Sequence, residues 1–188
     1  VIVSKLSNAG VNSSLGAATG GNGTITMSTV ASSTLRYTGT GDSTDRVIEI
    51  ASNSGSTLDQ SGTGNVVFAG GVTNSGTGSR TLTLRGATAG TGEISGLIDN
   101  NVTNLGITKT DAGTWRLSNV ANTFASTVSI SGGVLEAVKL ADTGTASSLG
   151  TGTAAGITFS GGTLRYVGSG DSTNRALTFG AAGGTLDA

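Results

Sequence analysis

Cysteine, histidine and proline are all missing from this sequence. Without the first two there is no Ser-His-Asp triad, no Cys-His dyad, no zinc finger, no haem ligation by either side chain and no thiol redox chemistry. Charge is scarce as well: 10 Lys and Arg stand against 11 Asp and Glu, for a net charge of −1. No basic cluster occurs, so the electrostatic footprint of a nucleic-acid binder is missing. Apolar runs stop after a few residues, too short for a membrane-spanning helix, and no cationic, apolar leader stands at Val1. Aromatic residues make up 4% and hydrophobic residues 35% of the chain, too little for a thick two-layer core.

Glycine (33), threonine (31) and serine (24) supply nearly half of the 188 residues. A flexible linker has a similar look, but linkers are commonly rich in proline and charge, and here 11% of residues are charged. Fifty-four residues are Val, Ile or Thr, which are stiff at Cβ and suit strands. Apolar residues recur at spacing two: Ile25 and Met27, Leu35 and Tyr37, Leu82 and Leu84, Trp115 and Leu117, Val128 and Ile130, Ile157 and Phe159, Leu164 and Tyr166, Leu177 and Phe179. Between the partners, Thr26, Arg36, Thr83, Arg116, Ser129, Thr158, Arg165 and Thr178 face the other way, as strand periodicity requires. Gly20-Gly21-Asn22-Gly23, Gly76-Thr77-Gly78 and Gly183-Gly184 read as turns. The fold class is all-β with many short strands.

The segment from Thr34 to Val47 recurs from Thr163 to Ala176 with ten of fourteen positions identical, at an offset of 129. Lys5-Leu6 and Ser13-Ser14-Leu15-Gly16 return as Lys139-Leu140 and Ser147-Ser148-Leu149-Gly150, and Thr57-Leu58-Asp59 as Thr185-Leu186-Asp187. Strand order is kept while turn lengths drift. Residues 1–188 are therefore expected to be one segment of a longer repetitive protein, with a first long repeat over about 3–136 and the start of a second over about 137–188. Inside the long repeat, strand markers fall near twenty residues apart. Coils of that length, each with two or three strands, are the signature of a parallel β-solenoid. Some nine coils at about 4.8 Å spacing give a rod of roughly 40 Å. The alternative is a β-sandwich. The absence of proline favours the solenoid, because each inner strand donates its N–H groups to the next coil.

Residues 105–135 carry a more specific pattern. Lys109-Thr110-Asp111-Ala112-Gly113-Thr114 precedes a strand, Asn122-Thr123-Phe124 forms a turn, and a second strand leads to Ser131-Gly132-Gly133-Val134-Leu135. This resembles the passenger-associated transport repeat, or autotransporter-associated β-strand repeat. Asp111 stands where that family usually has glycine, Phe124 where tyrosine is usual and Val134 where threonine is usual; Ala125-Ser126 replaces a glycine-rich turn. The resemblance implies a right-handed parallel β-helix in a passenger region exported through the outer membrane of a Gram-negative-type bacterium. Absent cysteines suit such export, because no disulfide forms to obstruct threading.

Candidate sites are few. Asp42 and Asp45, with Asp171 and Asn174 in the second copy, offer oxygens to a cation, but their spacing fits neither an EF-hand nor the glycine-rich calcium repeat. The favoured reading is an Asx or Ser/Thr turn with Arg46 and Arg175 salt-bridged or solvated. Asp59 and Asp187, like Asp42 and Asp171, recur with the repeat, as structural acids do and a carboxylate pair for glycoside cleavage does not. No catalytic residue, metal site or cofactor is assigned. Arg36, Arg116 and Arg165 point outwards and are the candidate surface-binding residues for a glycan or cell-surface ligand; a merely solvated face is the simpler reading. Trp115 points into the core. Asn12, Asn22 and Asn101 match Asn-x-Ser/Thr in a chain where chance matches are expected. The Thr-x-Thr register that ice binding requires is not sustained from coil to coil. The expected function is structural and non-catalytic, a rigid stalk, coat or filament-forming adhesin at the cell surface or secreted. Unpaired coil ends favour end-to-end self-association. The alternatives are a polysaccharide- or host-surface-binding module and a carbohydrate-active β-helical enzyme.

Overall fold

The computed structural model describes the 188 residues except 28–30, 52–53, 76–77, 87–88, 100–104 and 153–155, and the side chain of Asn22. The expected turn at Gly76-Thr77 and the sequon asparagine Asn101 lie outside the described residues, as does the Asn22 side chain. The chain winds as a parallel β-solenoid with three faces. Numbered along the chain, the first face stacks β1 (Ile2–Val3), β3 (Ser33–Tyr37), β6 (Ser56–Gln60), β9 (Arg80–Arg85), β11 (Leu105–Lys109), β13 (Val128–Ile130), β15 (Ile157–Phe159) and β17 (Leu177–Phe179). The second stacks β4 (Asp42–Thr44), β7 (Val66–Phe68), β10 (Thr91–Ile94), β12 (Thr114–Leu117), β14 (Val134–Ala137), β16 (Thr163–Tyr166) and β18 (Thr185–Asp187). The third is shorter: β2 (Ile25–Met27), β5 (Ile48–Ile50) and β8 (Val72–Asn74), extended by a parallel bridge from Val72 to Ile98.

Eight strands stack on the longest face, one fewer than the nine coils expected, and span about 34 Å at 4.8 Å per step. The coil is not a constant twenty residues: register partners lie from 20 residues apart (Ile157 and Leu177) to 34 (Val3 and Tyr37). The longer coils carry loops in place of strands.

Alternation decides what is inside. One inner column of the first face runs Leu35, Leu58, Leu84, Lys109, Ile130, Phe159, Phe179, each directly over the last. The neighbouring outer column runs Thr34, Thr57, Thr83, Thr108, Ser129, Thr158, Thr178. So a single hydroxyl ladder is sustained, while the adjoining outer column begins Arg36, Asp59, Arg85 and breaks any Thr-x-Thr pairing. The inward side chains form one continuous apolar core from Val3 to Leu164. Leu177 and Phe179, read as an inward pair, are 38% and 51% exposed on the last strand of their face, although Phe179 stacks on Phe159 with centroids 4.7 Å apart.

The two repeat copies are not in phase with the faces. β2, β3, β5 and β6 lie on the third, first, third and first faces; their counterparts β15, β16, β17 and β18 lie on the first, second, first and second. One copy of the long repeat therefore advances by five coils and one further face.

Candidate functional site

The repeated polar segments are loop clamps. In the first copy Asp42 Oδ2 accepts from the Leu6 N–H (3.0 Å) and the Tyr37 hydroxyl (2.9 Å), and Thr44 Oγ1 donates to the Ser7 carbonyl (2.9 Å). In the second, Asp171 Oδ2 accepts from the Leu140 N–H (3.0 Å) and the Tyr166 hydroxyl (2.9 Å), and Thr173 Oγ1 donates to the Ala141 carbonyl (2.8 Å). Each clamp thus grips the main chain of a loop more than thirty residues upstream. The two loops close identically: Ser14 and Ser148 exchange bonds with Lys5 and Lys139, while Ser13 and Ser147 cap Gly16 and Gly150.

Two expectations are corrected here. Asp42–Thr44 is a strand paired with Val66–Phe68, and the expected Ser/Thr turn is confined to its end, where Thr44 Oγ1 accepts from the Arg46 N–H (3.2 Å). The second copy, 171–173, has no paired strand, and there Thr173 Oγ1 accepts from the Arg175 N–H (3.2 Å). Arg46 and Arg175 are neither ion-paired nor solvated among the described residues but 3% and 7% exposed. Arg46 donates to the carbonyls of Ser7 (3.4 Å) and Gly16 (2.8 Å). Arg175 donates to those of Ala141 (3.1 Å), Leu149 (2.8 Å) and Gly150 (2.5 Å). Burial pulls the Arg175 guanidinium below the ordinary arginine value. A carbonyl-lined pocket holds such a charge because guanidinium spreads five donors in one plane.

The outward arginines sit in charge columns. On the first face Asp59 lies between Arg36 (2.9 Å) and Arg85 (3.0 Å). Burial by itself raises the Asp59 carboxyl, but hydrogen bonds from Ser61, Arg36 and Arg85 outweigh it and hold the group below its usual value. On the second face the register runs Glu93, Arg116, Glu136, Arg165, Asp187, with alternating sign. Arg165 pairs with Asp187 (2.7 Å) and Glu136 (3.5 Å). Arg116 forms no ion pair among the described residues, and its Nε is buried without a hydrogen-bond partner. The three candidate arginines are thus separated: Arg36 lies on one face and Arg116 and Arg165 on another. The tested acids Asp42, Asp59, Asp171 and Asp187 each carry a structural bond, and no cluster of three or more metal-ligating side chains occurs among the described residues.

The corner between β11 and β12 holds a residue whose role the sequence reading missed. Lys109 occupies an inward position and is fully buried. Its Nζ donates to the carbonyls of Thr110 (2.5 Å), Asp111 (2.8 Å) and, on the next coil, Gly132 (3.1 Å). A Cβ on Gly133 would stand 2.7 Å from that Nζ, so this glycine leaves room for the ammonium. Asp111, where glycine was expected, adopts φ 56°, in the left-handed region that aspartate tolerates better than most. Beyond β12, buried Asn122 accepts from the Ile98 N–H (2.9 Å) and donates to the Ser148 carbonyl (3.0 Å), joining three coils. Trp115 is buried and stacked on Phe68, as the alternation required.

A family model described as passenger-associated-transport-repeat matches residues 107–137, a stretch that contains both the buried Lys109 and Gly133. The solenoid carries a passenger-associated-transport-repeat. Around this transport repeat, the chain is 35% identical over 151 residues to a protein named adhesin BmaC autotransporter, from Brucella suis biovar 1 (strain 1330). That alignment covers 77% of this chain and 4% of the relative, so the chain spans a small part of its relative's length. No solved structure matches. Within the transport repeat, the lysine and the turn asparagine serve one end, satisfying main-chain groups where ladder pairing stops, and Gly133 leaves the space the lysine needs.

Burial, opposed in part by the Asp111 carboxylate, lowers Lys109 to about 8. Its folded pKa lies below its unfolded one, so between about pH 8 and 10.4 the unfolded chain binds more protons. Stability is therefore expected to rise with pH across that window. Subtracting the pH profile of a Lys109→Met variant, measured by urea unfolding, isolates this rise; parallel profiles would refute it.

Proposed function

We propose that this chain is a rigid, non-catalytic scaffold segment of an exported Gram-negative surface adhesin, whose outer faces meet a host-surface or glycan ligand. The observation that carries this reading is the 35% identity to an autotransporter adhesin across 77% of the chain. The unbroken parallel stack supports the scaffold part, since every coil is hydrogen-bonded to its neighbours. Arg116 is the candidate for a ligand because no ion pair engages it among the described residues, whereas Arg36 and Arg165 are paired with acids. Self-association of the column belongs to the same reading, because stacked parallel strands can pair with further strands at an open edge.

Beads coated with the chain are expected to be retained on epithelial cells or on a glycan array. Arg116→Ala should weaken retention by roughly thirtyfold, the loss typical of one interfacial hot spot, and Arg36→Ala by less. Retention no better than that of uncoated beads would sink the adhesin reading; unaltered retention of Arg116→Ala would sink the assignment of that residue. Sedimentation at rising concentration tests self-association, which a monomer at every concentration would exclude.

A further inference from the structure

The two loops gripped by the clamps share their ends but not their tips. Ser7-Asn8-Ala9-Gly10-Val11-Asn12 in one corresponds to Ala141-Asp142-Thr143-Gly144-Thr145-Ala146 in the other. Only the glycine is common, and both Gly10 (φ 80°) and Gly144 (φ 89°) need the left-handed conformation. The clamps hold these loops almost wholly through main-chain groups, which read no side chain.

One contact is different. In the first copy Asn8 Oδ1 accepts from the Asp45 N–H (3.0 Å), and Asp45 Oδ1 accepts from the Ala9 N–H (2.8 Å). In the second, Asp142 Oδ1 accepts from the Asn174 N–H (2.8 Å), and Asn174 Oδ1 accepts from the Thr143 N–H (2.9 Å). The geometry is the same and the residues are exchanged: amide on the loop with acid on the clamp, then acid on the loop with amide on the clamp. All four oxygens act only as acceptors in these bonds, so hydrogen bonding is indifferent to which side carries the acid. Charge is not indifferent. Each native pair holds one carboxylate, whereas the second loop under the first clamp would set Asp142 against Asp45.

We propose that this reciprocal Asx contact is a specificity determinant by which the first clamp rejects the loop of the second copy. Main-chain bonds supply the grip, and repulsion between Asp142 and Asp45 disfavours seating the second loop under the first clamp, whereas Asn8 against Asn174 carries no charge and is not rejected in this way.

Asn174→Asp and Asn8→Asp each create a carboxylate pair while keeping every acceptor oxygen. In low salt each should lower the melting temperature of the full chain by roughly 2–4 °C, the shift for a modest repulsion in a domain of this size. Adding Asp142→Asn to the first variant, or Asp45→Asn to the second, should restore the wild-type value. In 1 M NaCl, where screening acts over about 3 Å, the single variants should approach wild type. A loss that persists in the double variants or in high salt would overturn the proposal, as would single variants that melt with the wild type.

Discussion

Trp115→Ala is expected to lower the unfolding free energy by about 3–5 kcal/mol, the range for emptying a large buried aromatic site. Trp115 is 1% exposed, stacks on Phe68 with ring centroids 6.2 Å apart, and donates Nε1 to the Arg85 carbonyl at 2.9 Å. The ring occupies space that the preceding coil leaves by having no side chain: a Cβ on Gly92, its register partner, would lie 2.5 Å from the indole. A solenoid core is one residue thick on each face, so no second layer can collapse into the gap. Gly92→Ala should accordingly cost about 1–3 kcal/mol by overpacking. In a Trp115→Leu background that cost should shrink, since the colliding ring is gone. Urea unfolding of the four species measures the coupling; additive losses would show that glycine and indole are not matched.

Arg175→Ala ranks next, at about 3 kcal/mol, from several buried carbonyls left without a donor. The loss should be local at first. The 139–150 loop is tied down through the Ala141, Leu149 and Gly150 carbonyls that Arg175 reaches, so amide exchange at Leu149 and Gly150 should accelerate before the core opens. Arg175→Lys should recover only part of the loss, because one ammonium cannot span carbonyls that a planar fork bridges. Unchanged exchange at Leu149 and Gly150 in Arg175→Ala would show that the loop is held by other contacts.

Period-two alternation made the inner and outer sides legible at Leu35, Leu82, Trp115 and Val128, because it is a local property of the strand. The stacked solenoid was legible because its coils recur. Arg46 and Arg175 were misread because their partners are carbonyls 25 to 39 residues away, and a carbonyl leaves no mark in a sequence. Lys109 is a milder case. The pattern Ile107-x-Lys109 points it inwards, but a lysine among core positions reads as an exception until the corner carbonyls are seen around it. The paired exchange of Asn8 with Asp142 and of Asp45 with Asn174 was present in the aligned copies, yet nothing local says that residues 37 and 32 apart touch.

The one-face advance of the repeat makes the column a screw. Wherever such copies follow one another, a loop, a clamp or a charge fixed to the repeat unit moves a third of a turn around the axis with each copy. It faces the same way again only at every third, after about 16 coils or roughly 77 Å at 4.8 Å per coil. Its projecting loops would lie on a winding path and not along one edge, so a column built in this way has no blind side: a flat surface brought against it from any direction meets the same element at the same interval.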